Sequence, residues 1–496
     1  MTSKETTSIN HAANDANTNT ASVQAATYPK HPHRVMLGLY IGAFLGMLSE
    51  TSMNIALPAL MDTFGVSSGT AQWMVVGYML AIGIVLPFVG LMLKWVNTRT
   101  LALFALGCFL VGALISTFAV NFPMLLAGRI IQGVCTGIAL PTLYAVIMRV
   151  FPMSQIGAAN GVAGLVVMFA PVIGPTISGM LIGMFSWRAI FAMFAIVAAV
   201  AIACTAATLI NPIEVTRPKI DMISVVASVI GFGGLVAGVS MISDMGFSPM
   251  VIVLLAVGIV VLAFYAYRQL HMDSPILDLR ALGIAAFRTP AIMVTLSFTC
   301  TLALMYLVPQ ELQRGLGLSS TLAGLLMLPG GIVNAVCSLM AGRLYDRKGA
   351  TLLVRVGAVV AIIGDVMLLA MGVGTSTAFF VLAHVVLMIG IPLIQQSAQS
   401  AALKGLPREL ATDGSTILNT MQQVVAAIGT AVATCLLGLG ESNYTAAGGT
   451  DAAQGFVNGS RYGYVFALVL VVIVLAMSFL LRERHEPAGR TSGVKS

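Results

Sequence analysis

Residues 45–61 read LGMLSETSMNIALPALM, an apolar run of helical length with one carboxylate, Glu50, at its sixth position. Whether this run packs inside a water-soluble core or crosses a bilayer decides the fold, because helix length and the cost of a buried charge differ between the two solvents. Composition separates them. The 496-residue chain is 58% hydrophobic and 9% charged, with a mean hydropathy of +0.96, whereas soluble domains carry about 25% charged residues. An all-α polytopic membrane protein is expected.

The net charge of +7 does not point to nucleic acid. The Lys and Arg residues sit at the ends of apolar runs and form no patch with interleaved aromatics, so the expected partner is the lipid bilayer. Cys108, Cys135, Cys204, Cys300, Cys337 and Cys435 all lie inside apolar runs, without a CxxC or a metal-ligand spacing. They read as small hydrophobes, and no disulfide, metal or cofactor is expected. Residues 1–34 are polar and lack the apolar core of a signal peptide; they read as a disordered cytosolic tail.

A membrane helix needs about 20 apolar residues, and this rule divides the chain into about fourteen spans. Six lie within 35–209 and six within 288–481, the last of them beginning near 461. Between these halves, 210–287 holds polar linkers and two inserted spans, and 482–496 forms a second cytosolic tail. An N-terminus in the cytosol puts Lys94, Arg99, Arg149, Arg217, Lys219, Arg268, Arg280, Arg288, Arg343, Arg347, Lys348, Lys404 and Arg408 inside, and sends the loop cations Arg188, Arg314 and Arg461 outside. This is the positive-inside pattern, so both termini of a multi-pass cell-membrane protein are expected in the cytosol. The loop GLMLKWVNTRT after span two, with Gly90, Lys94 and Arg99, is echoed by GRLYDRKGAT after span ten, with Gly342, Asp346, Arg347 and Gly349. Such an echo implies two bundles rocking about a midplane site.

Polar residues inside spans are the functional candidates. Glu50 would cost about 3 kcal/mol facing lipid at a helix centre, so it should face protein or a wet cavity. Gly38, Gly42, Gly46, Glu50 and Asn54 recur every fourth residue along one helix face. Glu50 is either a proton-loading site or a hydrogen-bonding partner of a neighbouring helix. Arg129 shares a face with Gln132, Gly133, Thr136 and Gly137 in LAGRIIQGVCTGIALP, and is either a partner for a carboxylate or a packing and gating residue. Asp365, beside Gly357 and Ala361, is a second proton-site candidate or a support for helix packing. His384 could titrate or simply be a satisfied hydrogen-bonder. Glu311, at the outer end of span nine, is a weaker candidate for the substrate cavity or is simply solvated at the rim. Tyr306, Gln395, Gln399, Asn419, Gln422 and Gln423 complete the expected lining of a wide cavity, and the 29 methionines offer adaptable apolar surface.

With these motifs in place, the chain resembles the fourteen-span drug:proton antiporters of the major facilitator superfamily over about residues 35–482. GRIIQGVCTG, with Arg129, Gln132, Gly133 and Gly137, resembles the fourth-span motif. GVAGLVVMFAPVIGPTISG, with Gly161, Gly174, Pro175 and Gly179, resembles the fifth-span antiporter motif, which implies close helix approach and bending during transport. SPILDLRALGIAAF resembles the linker before span nine, and NTMQQVVAAIGTA the thirteenth span. The resemblance implies a major facilitator fold with two six-helix bundles plus two inserted helices. Two departures stand out. LSETSMNIALP places Ser49 where the first-span motif has aspartate, with Glu50 one residue and about 100° further round the helix. The first loop has Lys94 in place of Asp and Asn97 in place of Gly.

The functional expectation is proton-coupled export of amphipathic, cationic or zwitterionic small molecules by a monomer, through alternating access. An exporter of an endogenous metabolite, peptide or lipid would have the same appearance in sequence. A membrane enzyme or sensor is disfavoured, since no HExxH, Walker loop or GxSxG elbow occurs. The sequons at Asn443 and Asn458 fall in the expected last outer loop.

Overall fold

The structure, a computed structural model, describes residues 29–481 apart from 153–154, 214, 217–220, 273–274, 276 and 408–409. Nearly all of the 1–34 segment, the 482–496 tail, and Arg217, Lys219 and Arg408 lie outside the described residues, as does the side chain of Asp346.

Fourteen helices among the described residues are long and apolar enough to cross a bilayer. They are α1 Pro32–Phe64, α2 Ser68–Trp95, α3 Thr98–Thr117, α4 Phe122–Val150, α5 Ile156–Met184, α6 Arg188–Thr208, α7 Met222–Met245, α8 Pro249–His271, α9 Ala285–Gln310, α10 Ser320–Tyr345, α11 Arg347–Leu369, α12 Thr377–Lys404, α13 Ala411–Ala446 and α14 Ala452–Met477. The end at which α1 begins is called inner below, and the opposite end outer. Side-chain caps start five helices at the outer end. Ser67, Asn121, Ser319, Ser376 and Asp451 each accept a hydrogen bond from a first-turn backbone N–H of α2, α4, α10, α12 and α14, satisfying donors that a helix start leaves open. At the inner end the chain kinks within the first turn of α11 at Gly349, whose φ of 75° is a region that L side chains avoid.

Helices α1–α6 pack on one another, and α9–α14 do the same. The halves meet along two seams, α2 against α13 and α5 against α10, and the inserted α7–α8 hairpin lays α7 on α2 and α13. At the hairpin base Arg268 Nε donates to Asp221 Oδ2 at 2.8 Å and Nη2 to Oδ1 at 2.9 Å. This fork holds the Asp221 carboxyl down to about 2. Gln269 Nε2 adds a bond to Ser224 Oγ at 2.7 Å.

The α5–α10 seam is tight at the outer end. Thr176 Oγ1 donates to Gly324 O at 2.9 Å and Thr321 Oγ1 to Gly179 O at 3.0 Å. A Cβ on Gly324 would lie 2.6 Å from Pro175 O. Beyond α9 a π-helical turn, Glu311–Gly315, sends Gln313 Nε2 to Ile55 O at 3.1 Å and Arg314 Nη2 to Asp62 at 2.7 Å, both on α1. Cβ atoms at Gly161, Gly164 and Gly342 would meet nothing within 4 Å. The contacts above close this seam at its outer end.

Three expectations change. The last span begins at Ala452, not near 461, so Arg461 and Asn458 are helical, and Asn443 lies within α13. The hydropathy count stopped short because both helices continue through polar residues at their outer ends. Arg461 Nη2 donates to Met371 O at 3.2 Å, and Asn443 Nδ2 to Tyr462 Oη at 3.2 Å. Glu311 is 1% exposed, not a solvated rim residue, because Tyr464 donates its hydroxyl to the carboxylate inside the second half.

Candidate functional site

Glu50 sits in the middle of α1, where small neighbours let other helices approach. A Cβ on Gly46 would lie 2.7 Å from the Thr136 methyl of α4. The Arg129 guanidinium, fully buried on α4, enters the same space but does not form an ion pair with Glu50. Its Nη1 donates to Ser49 Oγ at 2.5 Å and to Gln132 Oε1 at 2.9 Å, its Nη2 to Ser49 O at 3.3 Å, and its Nε to Met74 O at 3.2 Å. The Tyr78 ring lies 4.0 Å beneath it. Tyr78 is held by bonds to Gly46 O at 2.9 Å and Thr136 Oγ1 at 2.6 Å. Four acceptors and an aromatic face compensate the buried cation. Ser49 thus occupies the guanidinium, and the next residue is turned away from it.

Glu50 instead lines a cavity of about 230 Å³ between the halves. Gln423, on α13 of the opposite half, hydrogen-bonds its carboxylate, while Oε2 has no partner. The remaining wall combines Met47, Thr51, Met168, Pro171, Phe298, Met305 and Met388 with the neutral polar side chains of Thr301, Asn334, Ser338, His384, Gln395 and Gln396. Gln395 Nε2 donates to Thr301 Oγ1 at 3.0 Å, and Asn334 Nδ2 contacts Met388 Sδ at 3.4 Å. Glu50 is the one carboxylate among the described lining residues. A site that places one acid in a methionine-rich, neutral surround can pair with one cationic centre while adapting to varied apolar shapes. A second cleft, about 410 Å³ between α2, α4 and α7, has an almost wholly apolar lining that includes Trp73, Phe122 and Met241, and lacks such chemistry.

Of the residues read from sequence, Glu50, His384, Gln395 and Pro175 stand on the cavity wall. Gln132 belongs to the Arg129 network. Asn54 is buried, 2% exposed, and Nδ2 reaches Thr51 O at 3.5 Å. Asn419 Nδ2 bonds Ser415 O at 2.9 Å within its own helix. Gln399 and Gln422 are half-buried and Tyr306 is fully buried, none of them on this wall. Asp365 is fully buried inside the second half, without a partner for either oxygen and within electrostatic reach of Cys300 and Tyr464. Gly174 packs its Cα face against Thr51 of α1, and Gly179 against Ser320 of α10. At the inner end the Lys94 carbonyl accepts Thr216 N–H at 2.9 Å, and Arg99 bonds the carbonyl of Ala206; this ties the first loop to the linker after α6. Gly90 faces open space, and Arg347 is exposed. Thr301, Asn334, Ser338 and Gln396 were missed. Asn334 and Ser338, one turn apart within the apolar run of α10, carried the same stranded-polar signal as Gln395.

Comparison with known proteins gives the geometry a context. The sequence profile described as Major Facilitator Superfamily matches residues 39–430. The lincomycin resistance protein LmrB of Bacillus subtilis is 40% identical over 457 residues, covering 90% of this chain and 95% of the relative. Its namesake from Listeria monocytogenes is 37% identical over 457 residues, 91% and 97% of the two chains. Among solved structures, a POT family transporter in complex with 5-aminolevulinic acid superposes with a TM-score of 0.67 at 15% identity, covering 90% of this chain and 96% of the other.

Proposed function

The chain belongs to the Major Facilitator Superfamily, a multi-pass membrane transporter and not an enzyme, and from that premise we propose that it exports amphipathic cationic drugs in exchange for protons. The observation that carries this reading is Glu50: a carboxylate on the wall of a cavity between the halves, bonded across the seam by Gln423 and with its second oxygen unpartnered. The ionised carboxylate attracts a cationic cargo from the inner side. Once the halves rock to open outward, a proton takes the same oxygen, the cation loses its counter-charge and leaves. Rocking back and releasing the proton inward restores the binding form. Proton and cargo need only compete for one group to be coupled.

Arg129 acts in this scheme as a fixed positive charge beside the site, and Ser49 keeps it from quenching Glu50. Asp365 is the second candidate for proton coupling, acting within its own bundle. The positive-inside pattern supports cytosolic termini in a cell membrane, and a cavity walled by helices of one chain supports a monomeric unit. Lincomycin, the drug in the relatives' names, is the first cargo to test.

The test is efflux from inverted vesicles under an imposed pH gradient. Glu50→Gln, which fixes the site in its neutral form, should weaken binding of a cationic cargo and abolish gradient-driven movement of lincomycin or a cationic dye. Unchanged gradient-driven transport in Glu50→Gln would remove this residue from coupling and overturn the proposal.

A further inference from the structure

The wall opposite Glu50 holds a second specific feature. His384 on α12 is 4% exposed and lines the cavity. Two neighbours confine its imidazole. One is the Phe380 ring, 5.6 Å away between centroids and tilted by 12°. The other is the backbone of Gly330 on α10, where an added Cβ would lie 2.6 Å from Cε1. Only glycine at this position leaves room for the ring.

This confinement also distinguishes the two nitrogens. Nδ1 is enclosed against Gly330 without a partner. An orphaned buried N–H is rarer than an orphaned acceptor, which assigns the proton to Nε2, the nitrogen left to the cavity. Nearby donors are already engaged, Gln395 on Thr301 and Asn334 on Met388.

We infer that His384 is a specificity-determining residue whose Nε2–H donates to a neutral acceptor on the cargo, so that preferred substrates pair one positive charge with a hydroxyl, amide or ether oxygen. The inference rests on the exporter reading and deepens it. The charge is recognised by the first half at Glu50 and the neutral polar group by the second half at His384. A wholly apolar cation leaves this donor dry in a closed site, and an unpaired donor discriminates against such a ligand.

Two probes separate these contributions: puromycin, a monocation with amide and hydroxyl groups, and tetraphenylphosphonium, a cation with no hydrogen-bonding group. Dissociation constants are measured on purified protein in detergent at one fixed pH, so that the result is independent of proton coupling. In His384→Phe, which keeps a flat ring at this position, the ratio of the puromycin to the tetraphenylphosphonium constant should rise about five- to tenfold, the worth of one hydrogen bond. His384→Gln, which restores an N–H at similar reach, should bring the ratio back towards wild type. A ratio that stays at the wild-type value in His384→Phe, or a rise that glutamine does not reverse, overturns the inference. Wild-type protein that binds neither probe overturns the exporter reading and this inference with it, whereas a loss of gradient-driven transport alone touches only the exporter reading.

Discussion

Arg129 grips Ser49 twice, Nη1 to the hydroxyl at 2.5 Å and Nη2 to the backbone carbonyl at 3.3 Å, and this fixes the direction of the neighbouring Glu50. Successive helical residues point about 100° apart. With serine on the guanidinium, the acid one residue later is delivered to the cavity. Ser49→Ala removes one bond to a buried charge, a loss of about 1.5–3 kcal/mol. We expect a lowered melting temperature in detergent and a more variable Glu50 position. An unchanged melting temperature would mean that Met74, Gln132 and the backbone carbonyl of residue 49 suffice to hold the guanidinium.

Asp365 and Glu50 look equivalent in sequence, yet only Glu50 reaches the cavity. The α11 face beside Asp365 packs closely on α12: Cβ atoms on Gly357 and Gly364 would lie 2.7 Å from Gly390 O and 2.6 Å from Leu387 N. Asp365→Asn keeps the size of the side chain and breaks no hydrogen bond. Cargo binding should be retained and efflux should stay near the wild-type rate, in contrast to Glu50→Gln. Loss of efflux equal to that of Glu50→Gln would place the coupling group in the second half.

The fourteen helices were legible in the sequence because apolar length is a local property, and each span writes it independently. Sites are not local. Gln423 was recognisable as a stranded polar residue, but that it would reach Glu50 depends on how two halves dock along α2 and α13. Glu311 read as a rim residue because its position at a helix end is visible in sequence, whereas Tyr464, 153 positions away, is not. Arg461 and Asn443 misled the placement of the last helix because hydropathy cannot distinguish a helix that continues through polar residues from a loop. Ser49 and Glu50 show the reverse case, since a one-residue offset noted in the motif became the feature that directs the acid.

The inserted hairpin is fastened by Asp221 and Arg268, whose side chains are 12% and 31% exposed. The carboxyl falls from the ordinary value near 3.9 to about 2 in the folded protein. A depressed carboxylate contributes stability above its unfolded value, and that contribution is lost as pH falls through the folded value. The difference in melting temperature between wild type and Asp221→Asn should therefore be full at pH 7 and pH 5, and shrink between about pH 4 and pH 2. A difference that persists at pH 2 would assign the effect to packing at the hairpin base instead of charge.

Closure at the outer end depends on the absence of a side chain at Gly324. A valine there would drive its Cβ to within 2.6 Å of Pro175 O and disturb the Thr176 bond to the Gly324 carbonyl at 2.9 Å. Overpacking of this kind costs about 1–3 kcal/mol, charged only to the state in which α5 and α10 touch, so Gly324→Val should shift the population about 5- to 150-fold away from outer closure. Spin labels at the exposed outer positions Thr63 and Ala447 should report longer distances in this variant. Gly161→Ala is a control on the helix that carries Pro175, α5. Its new Cβ meets open space, and alanine favours the helix by about 0.5–1 kcal/mol, so the melting temperature should rise while the Thr63–Ala447 distance stays put. If Gly324→Val leaves that distance unchanged as well, the α5–α10 contact does not set the outer gate, and closure must be carried by the π-turn contacts of Gln313 and Arg314 with α1.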